Sequence, residues 1–251
     1  MKFLVQSGSS DTFPEDKIFK NTINLYMKFN AQYEELGLEK LKRRLSIEHD
    51  RYIDYYPFGN IDFISYWLKF YYDRIMQPIE VPKILRTEEF LRRDYKIVYK
   101  NDVPKHGRYC IKNVSSLKSG CFIGSAESWQ LSKDEYKDDT LFSVSNEINI
   151  LSEWRVYVID GKIYNISNYD GDSMLFPDVT LINKMISLFV NNEDAPKDFS
   201  IDVGVTKKDT VVIELHPFAA LGLYHNLWDA DLIYAYKHGI EWYINNKYSL
   251  I

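Results

Sequence analysis

Cysteine is scarce: Cys110 and Cys121 are the only two in 251 residues. Two cysteines cannot make the disulfide framework of a small secreted domain, and no metal-type cysteine spacing accompanies them, so a reducing compartment is expected. Long apolar runs are also missing. Nothing approaches the roughly 18 residues of a membrane span, and the apolar part of MKFLVQSGSSD is too short for a signal peptide. A soluble, cytoplasmic protein with no membrane partner is the expectation. An excess of positive charge is absent too, since the net charge is −5. That disfavours a protein whose main task is neutralising nucleic-acid backbones, while leaving room for a local basic pocket that takes a nucleotide. Internal repeats and low-complexity segments are not seen.

What is present is ordinary globular material, 45% hydrophobic and 27% charged, long enough for one large domain or two small ones. Aromatics reach 16%, with 20 Tyr, which predicts a thick aromatic core with tyrosine tips at the surface. Lys2 to Gln6 reads as a first strand. Helical spacing is seen from Pro14 to Leu45, where a second, charged helix carries EKLKRR at 39–44. Pro57 and Gly59 mark a turn, after which Asn60 or Asp62 can cap a helix running to about Arg74. Thr87 is a candidate cap for a short helix over 87–97.

From about Tyr109 strands dominate: 109–114, 141–150, 153–169, 199–205 and 210–215, with 116–125 read as a turn containing glycine and serine. Asp160-Gly161 between alternating strands is the preferred pair for a type I′ hairpin. Residues 206–210 form a second hairpin turn, 178–191 a helix, and the tail a helix with a break expected near Gly239.

Several charges interrupt these strands. Lys112 is flanked by apolar residues, and Lys118, Gly120 and Gly124 follow it. A strand lysine followed by glycines suits phosphate, because glycines let backbone N–H groups approach; the P-loop pattern itself is absent. Glu153 and Arg155 share one strand face. Asp202 and Glu214 lie on consecutive hairpin strands, and two facing carboxylates repel unless a cation sits between them. A hard divalent ion such as Mg2+ does this with oxygen ligands. In VVIELHPF, Glu214 and His216 must point the same way.

The order of these elements resembles the ATP-grasp superfamily, and within it the small R2K-clade proteins of bacteria and phages. The resemblance rests on Lys112, the segment from Lys118 to Gly124, Glu147, the run SEWRVYV, then IDVGV, and IELH followed by ALGLY, over about residues 80–225. It implies an α+β ATP-grasp fold over 81–251, preceded by a smaller mixed α/β pre-ATP-grasp-like domain over 1–80. It implies ATP and Mg2+ as cofactors, with Mn2+ as the alternative. Lys112, with Arg93 and Lys118, would contact phosphates. Backbone near Glu147 and Ile148 would meet the adenine edge, and Glu153 the ribose. Arg155 would face the γ-phosphate or an acyl-phosphate, and Asp202, Glu214 and His216 would hold the metal. The implied activity is ATP-dependent ligation of a carboxylate to an amine, with a peptide or protein end as a candidate acceptor. His216 departs from the family's usual asparagine. Imidazole is a softer donor than an amide oxygen, so a nucleotide-binding module that has lost ligation is the rival expectation.

Overall fold

The computed structural model describes residues 1–7, 32–115, 120–193, 195–219, 221, 223–224 and 231–245. The chain divides into two compact units. One comprises 1–76, 196–199 and 217–246; the other 77–195, 200–216 and 247–251.

In the first unit, β1 (Lys2–Gln6) lies between β2 (Gln32–Leu36) and β3 (Tyr56–Phe58), parallel to both. Phe3, Leu4 and Val5 are all buried, as the middle strand of a parallel sheet requires. The helical reading that starts at Pro14 is therefore corrected at residues 32–36, which form a strand; the second, charged helix expected at 39–44 is present as α1 (Leu38–Leu45), and residues 8–31 lie outside the described residues. Helical spacing among tyrosines and acids yields at β2 to pairing with a buried strand. Pro57 is part of β3 rather than of a turn, because an edge strand tolerates the missing N–H. Gly59 is needed there, since a Cβ would meet the Gln6 side chain at 2.5 Å. In α2 (Ile61–Tyr72) the Asn60 side chain accepts from Phe63 N at 3.0 Å, and Phe63, Ile64, Trp67 and Leu68 are buried.

The second unit opens with α3 (Glu88–Leu91), shorter than the expected helix, because β4 (Tyr95–Tyr99) takes up its second half. Then come β5 (Arg108–Asn113), β6 (Cys121–Ser125), α4 (Ala126–Gln130) and β7 (Leu141–Ser145). Their sheet has the order β4-β7-β5-β6 and is antiparallel throughout. Val103, Ile111, Trp129, Phe142 and Val144 make one core cluster. Residues 121–125, expected as part of a turn, are thus a strand. Cys110 and Cys121 lie on paired strands with Cα atoms 6.3 Å apart, within disulfide reach, and their sulfurs are bonded.

Next are β8 (Ser152–Ile159), β9 (Lys162–Gly171), α5 (Val179–Val190), β10 (Phe199–Val205) and β11 (Thr210–Pro217), with sheet order β11-β10-β8-β9. Asp160 and Gly161 both have positive φ, 49° and 70°, which is the type I′ turn read from the sequence. Asp178 caps α5 by accepting from Thr180 N and Leu181 N. The architecture is α+β, antiparallel sheets with packed helices and a smaller parallel sheet near the N-terminus.

The final helix, α6 (Asp231–Asn245), runs unbroken through Gly239 and belongs to the first unit. Glycine is there for proximity: a Cβ would stand 2.4 Å from Phe218 O.

Candidate functional site

Lys112 sits on the central strand β5, opposite Cys121 of β6 and Ser143 of β7, so two neighbours fix its position. Its ammonium is 2.7 Å from Glu80 Oε1 and donates to Glu214 Oε2. Burial alone would lower its pKa, but Glu214 and Glu80 hold the ammonium above the usual lysine range. The other oxygen of Glu214 is 3.0 Å from His216 Nε2. On β11, Leu215 is fully buried while Glu214 and His216 share the opposite face, as strand alternation demands. Burial works to raise Glu214, yet His216 and Lys112 keep its carboxyl well below the ordinary range. Burial likewise opposes the charge on His216, and Glu214 with Asp202 outweighs it, raising the imidazole.

Asp202 lies on the neighbouring strand β10 and is 2% exposed. Arg155 of β8 grips it with two hydrogen bonds, Nε to Oδ1 at 2.8 Å and Nη2 to Oδ2 at 2.7 Å. Donor atoms of Asp202, Glu214 and His216 all fall within 4.8 Å of one another. Two carboxylates and one imidazole at that spacing fit a divalent cation; the nitrogen donor favours a borderline ion over a strictly oxygen-seeking one.

Glu153 and Tyr169 adjoin this group. A β-bulge between Glu153 and Trp154 leaves Tyr169 as the extra residue of β9. Its hydroxyl donates to Glu153 Oε2 at 2.7 Å, and the Arg155 guanidinium stands 5.6 Å from its ring centre. Burial, ahead of the opposing bond from Tyr169, raises Glu153.

The structure thus brings together Lys112, Glu153, Arg155, Asp202, Glu214 and His216. Other expected residues are placed differently. Arg93 is half-buried, desolvation lowers its pKa, and it donates to the carbonyls of Leu91 and Val212, both at 3.0 Å. Glu147 is exposed and paired with Arg108. Glu147 and half-buried Ile148 lie in the irregular stretch between β7 and β8. Lys118 lies outside the described residues. Sequence reasoning missed Glu80 and Tyr169. A lone acid between two apolar residues and two prolines, PIEVP, is the only trace of the first; a bulge leaves no trace of the second.

Comparison with known proteins follows the same lines. The family model for the ATP-grasp domain, R2K clade family 2, matches residues 90–231. No curated protein matches. Among solved structures, D-alanine–D-alanine ligase from Bacillus anthracis aligns with a TM-score of 0.56 and 14% identity over 96% of this chain and 97% of that one. The same ligase complexed with ATP aligns at 0.53, with 16% identity over 97% and 95%. D-cycloserine synthetase DcsG aligns at 0.55, with 9% identity over 96% and 99%. At such identities the likeness is one of fold.

Proposed function

The chain belongs to the ATP-grasp domains of R2K clade family 2, and on that premise we propose that it is an ATP-dependent ligase joining a carboxylate to an amine. The observation that carries this reading is the cluster of Asp202, Glu214 and His216 donors within 4.8 Å, with the Lys112 ammonium on Glu214. We assign nucleotide and metal binding to residues 81–251, with residues 1–80 as the pre-ATP-grasp-like part. A cytoplasmic location, where ATP is supplied, goes with the same reading.

In the reaction, the γ-phosphoryl group of ATP passes to a carboxylate oxygen, giving ADP and an acyl-phosphate. An amine then attacks the acyl carbon, inorganic phosphate leaves, and the amine gives up a proton. Little covalent chemistry is asked of the protein, so positioning and charge dominate. Lys112 offers a compact positive charge to the phosphates. Arg155 offers a planar fork for the transferred group, and Glu153, steadied by Tyr169, an acceptor for ribose hydroxyls. Asp202, Glu214 and His216 would hold a divalent cation, Mg2+ or Mn2+, which neutralises phosphate charge when bound. The acceptor is an amine, with a peptide or protein end as a candidate.

His216 favours a second reading, a nucleotide-binding module without ligation, because imidazole suits Mg2+ poorly. Thermal stabilisation by ATP with Mg2+ or Mn2+, on wild type and Lys112→Ala, tests the nucleotide site. A ligand at a hundred times its Kd stabilises by about 2.7 kcal/mol. A rise in wild type that vanishes in the variant supports the site; no rise with either metal refutes it. ADP release on presentation of carboxylate and amine pools then separates the two readings.

A further inference from the structure

Glu80 lies outside the matched segment and carries none of the roles above. Its surroundings are specific. Ile79, Glu80 and Val81 are all buried between Pro78 and Pro82. Glu80 has a φ of 55°, the left-handed region, which costs a residue with a side chain of the order of 1–2 kcal/mol and glycine nothing. Its carbonyl accepts from Leu215 N at 2.9 Å, in an isolated antiparallel bridge. Leu215 is the residue between Glu214 and His216, so this bridge sets Glu80 beside the cluster. A glycine would satisfy the backbone without strain. That a glutamate stands there points to a use for its side chain, and its carboxylate is 2.7 Å from Lys112 Nζ.

Lys112 therefore has two acids, and they are not equivalent. Glu214 also faces His216 and Asp202 and is part of the cation cluster. Glu80 is not among those donors. We propose that Glu80 is a positioning residue that retains the Lys112 ammonium, so that Glu214 is released to a divalent cation while the lysine stays in place for phosphate. This rests on the nucleotide-and-metal reading given above. Without Glu80 the ammonium has Glu214 as its remaining acid, and lysine and metal compete for one carboxylate.

The test is a cycle of wild type, Glu80→Gln, Lys112→Met and the double variant, titrated with Mn2+ alone and followed by electron paramagnetic resonance of free Mn2+. Loss of a negative charge weakens cation binding in any background. Competition by lysine adds to this only where lysine is present. Glu80→Gln is expected to weaken Mn2+ binding by about tenfold in the lysine background and by less than about threefold in the Lys112→Met background. Glu80→Asp, which keeps the charge but draws it back by one methylene, gives a smaller loss that again depends on the lysine, and it serves if Glu80→Gln does not fold. Equal losses in both backgrounds overturn the inference and leave the metal reading standing. Wild type that binds no Mn2+ overturns both.

Discussion

Asp202→Asn removes one charge from the most enclosed ion pair of the site. Arg155 donates to both carboxylate oxygens, at 2.8 and 2.7 Å, and the two residues are 9% and 2% exposed. Asparagine keeps the shape and one acceptor, but it points a donor at a donor and takes away the carboxylate charge that faces the guanidinium. Removing one partner of a buried pair costs roughly 3–5 kcal/mol, and the retained acceptor places this change near the lower end, at about 3 kcal/mol. The Tyr169 ring, 5.6 Å from the guanidinium, cannot make up the difference, because a cation–π contact gives about 0.5–2 kcal/mol and is already present. For a chain of this size each kcal/mol moves the midpoint by about 2–4 °C, so a fall of about 6–12 °C is expected. Thermal unfolding by circular dichroism, paired with urea titration, reads it. The double variant Arg155→Met/Asp202→Leu removes both charges and recovers much of the loss. A single variant melting within about 2 °C of wild type would refute the reasoning, as would a double variant no more stable than the single one.

Other expectations are as direct. His216→Asn replaces a nitrogen donor by an amide oxygen, so the ratio of stabilisation by Mg2+–ATP to that by Mn2+–ATP rises; an unchanged ratio removes His216 from the metal site. Gly239→Ala improves helix propensity by about 1 kcal/mol. The new Cβ, however, meets the Phe218 carbonyl oxygen at 2.4 Å and its carbon at 2.5 Å, backbone that cannot step aside, so urea titration should show a net loss of stability. Burial works to raise Glu34, but the hydrogen bond from Tyr52 and the charges of Arg44 and Arg51 hold it below its ordinary value of 4.5. Its contribution, of the order of 1 kcal/mol, is present above the unfolded value and is lost as pH falls through the folded one. The gap between wild type and Glu34→Gln in urea titrations should close on acidification through the range below 4.5.

Much of the cluster was legible because strand alternation and hairpin turns are local rules. Asp160-Gly161 fixes the β8–β9 hairpin, and the alternation in VVIELHPF already puts Glu214 and His216 on one face. Lys112 stands out as a charge in an apolar strand. What escaped depends on long-range placement. Glu80 meets Lys112 only because a chain segment bracketed by prolines bridges to Leu215, far along the sequence. Tyr169 reaches Glu153 through a bulge, which strict alternation cannot anticipate. β2 has helical spacing and becomes a strand because β1 needs a partner. The two carbonyls to which the Arg93 guanidinium donates, those of Leu91 and Val212, likewise follow from tertiary packing and leave no pattern in the sequence.

The two oxygens of Glu214 face opposite ways in chemical terms, one toward an ammonium and one toward an imidazole. Arg155 and Asp202 are matched in the same manner. Before any ligand arrives, these charges already have counter-charges within the chain. On the proposed reading, loading the site would exchange these internal partners for the ligand's. Affinity would then be a small difference between two paired arrangements, and the enclosed charges are poorly screened by salt. A nucleotide site of this kind should discriminate by geometry and release its product readily, and its affinity should respond to ionic strength far less than that of an open basic patch.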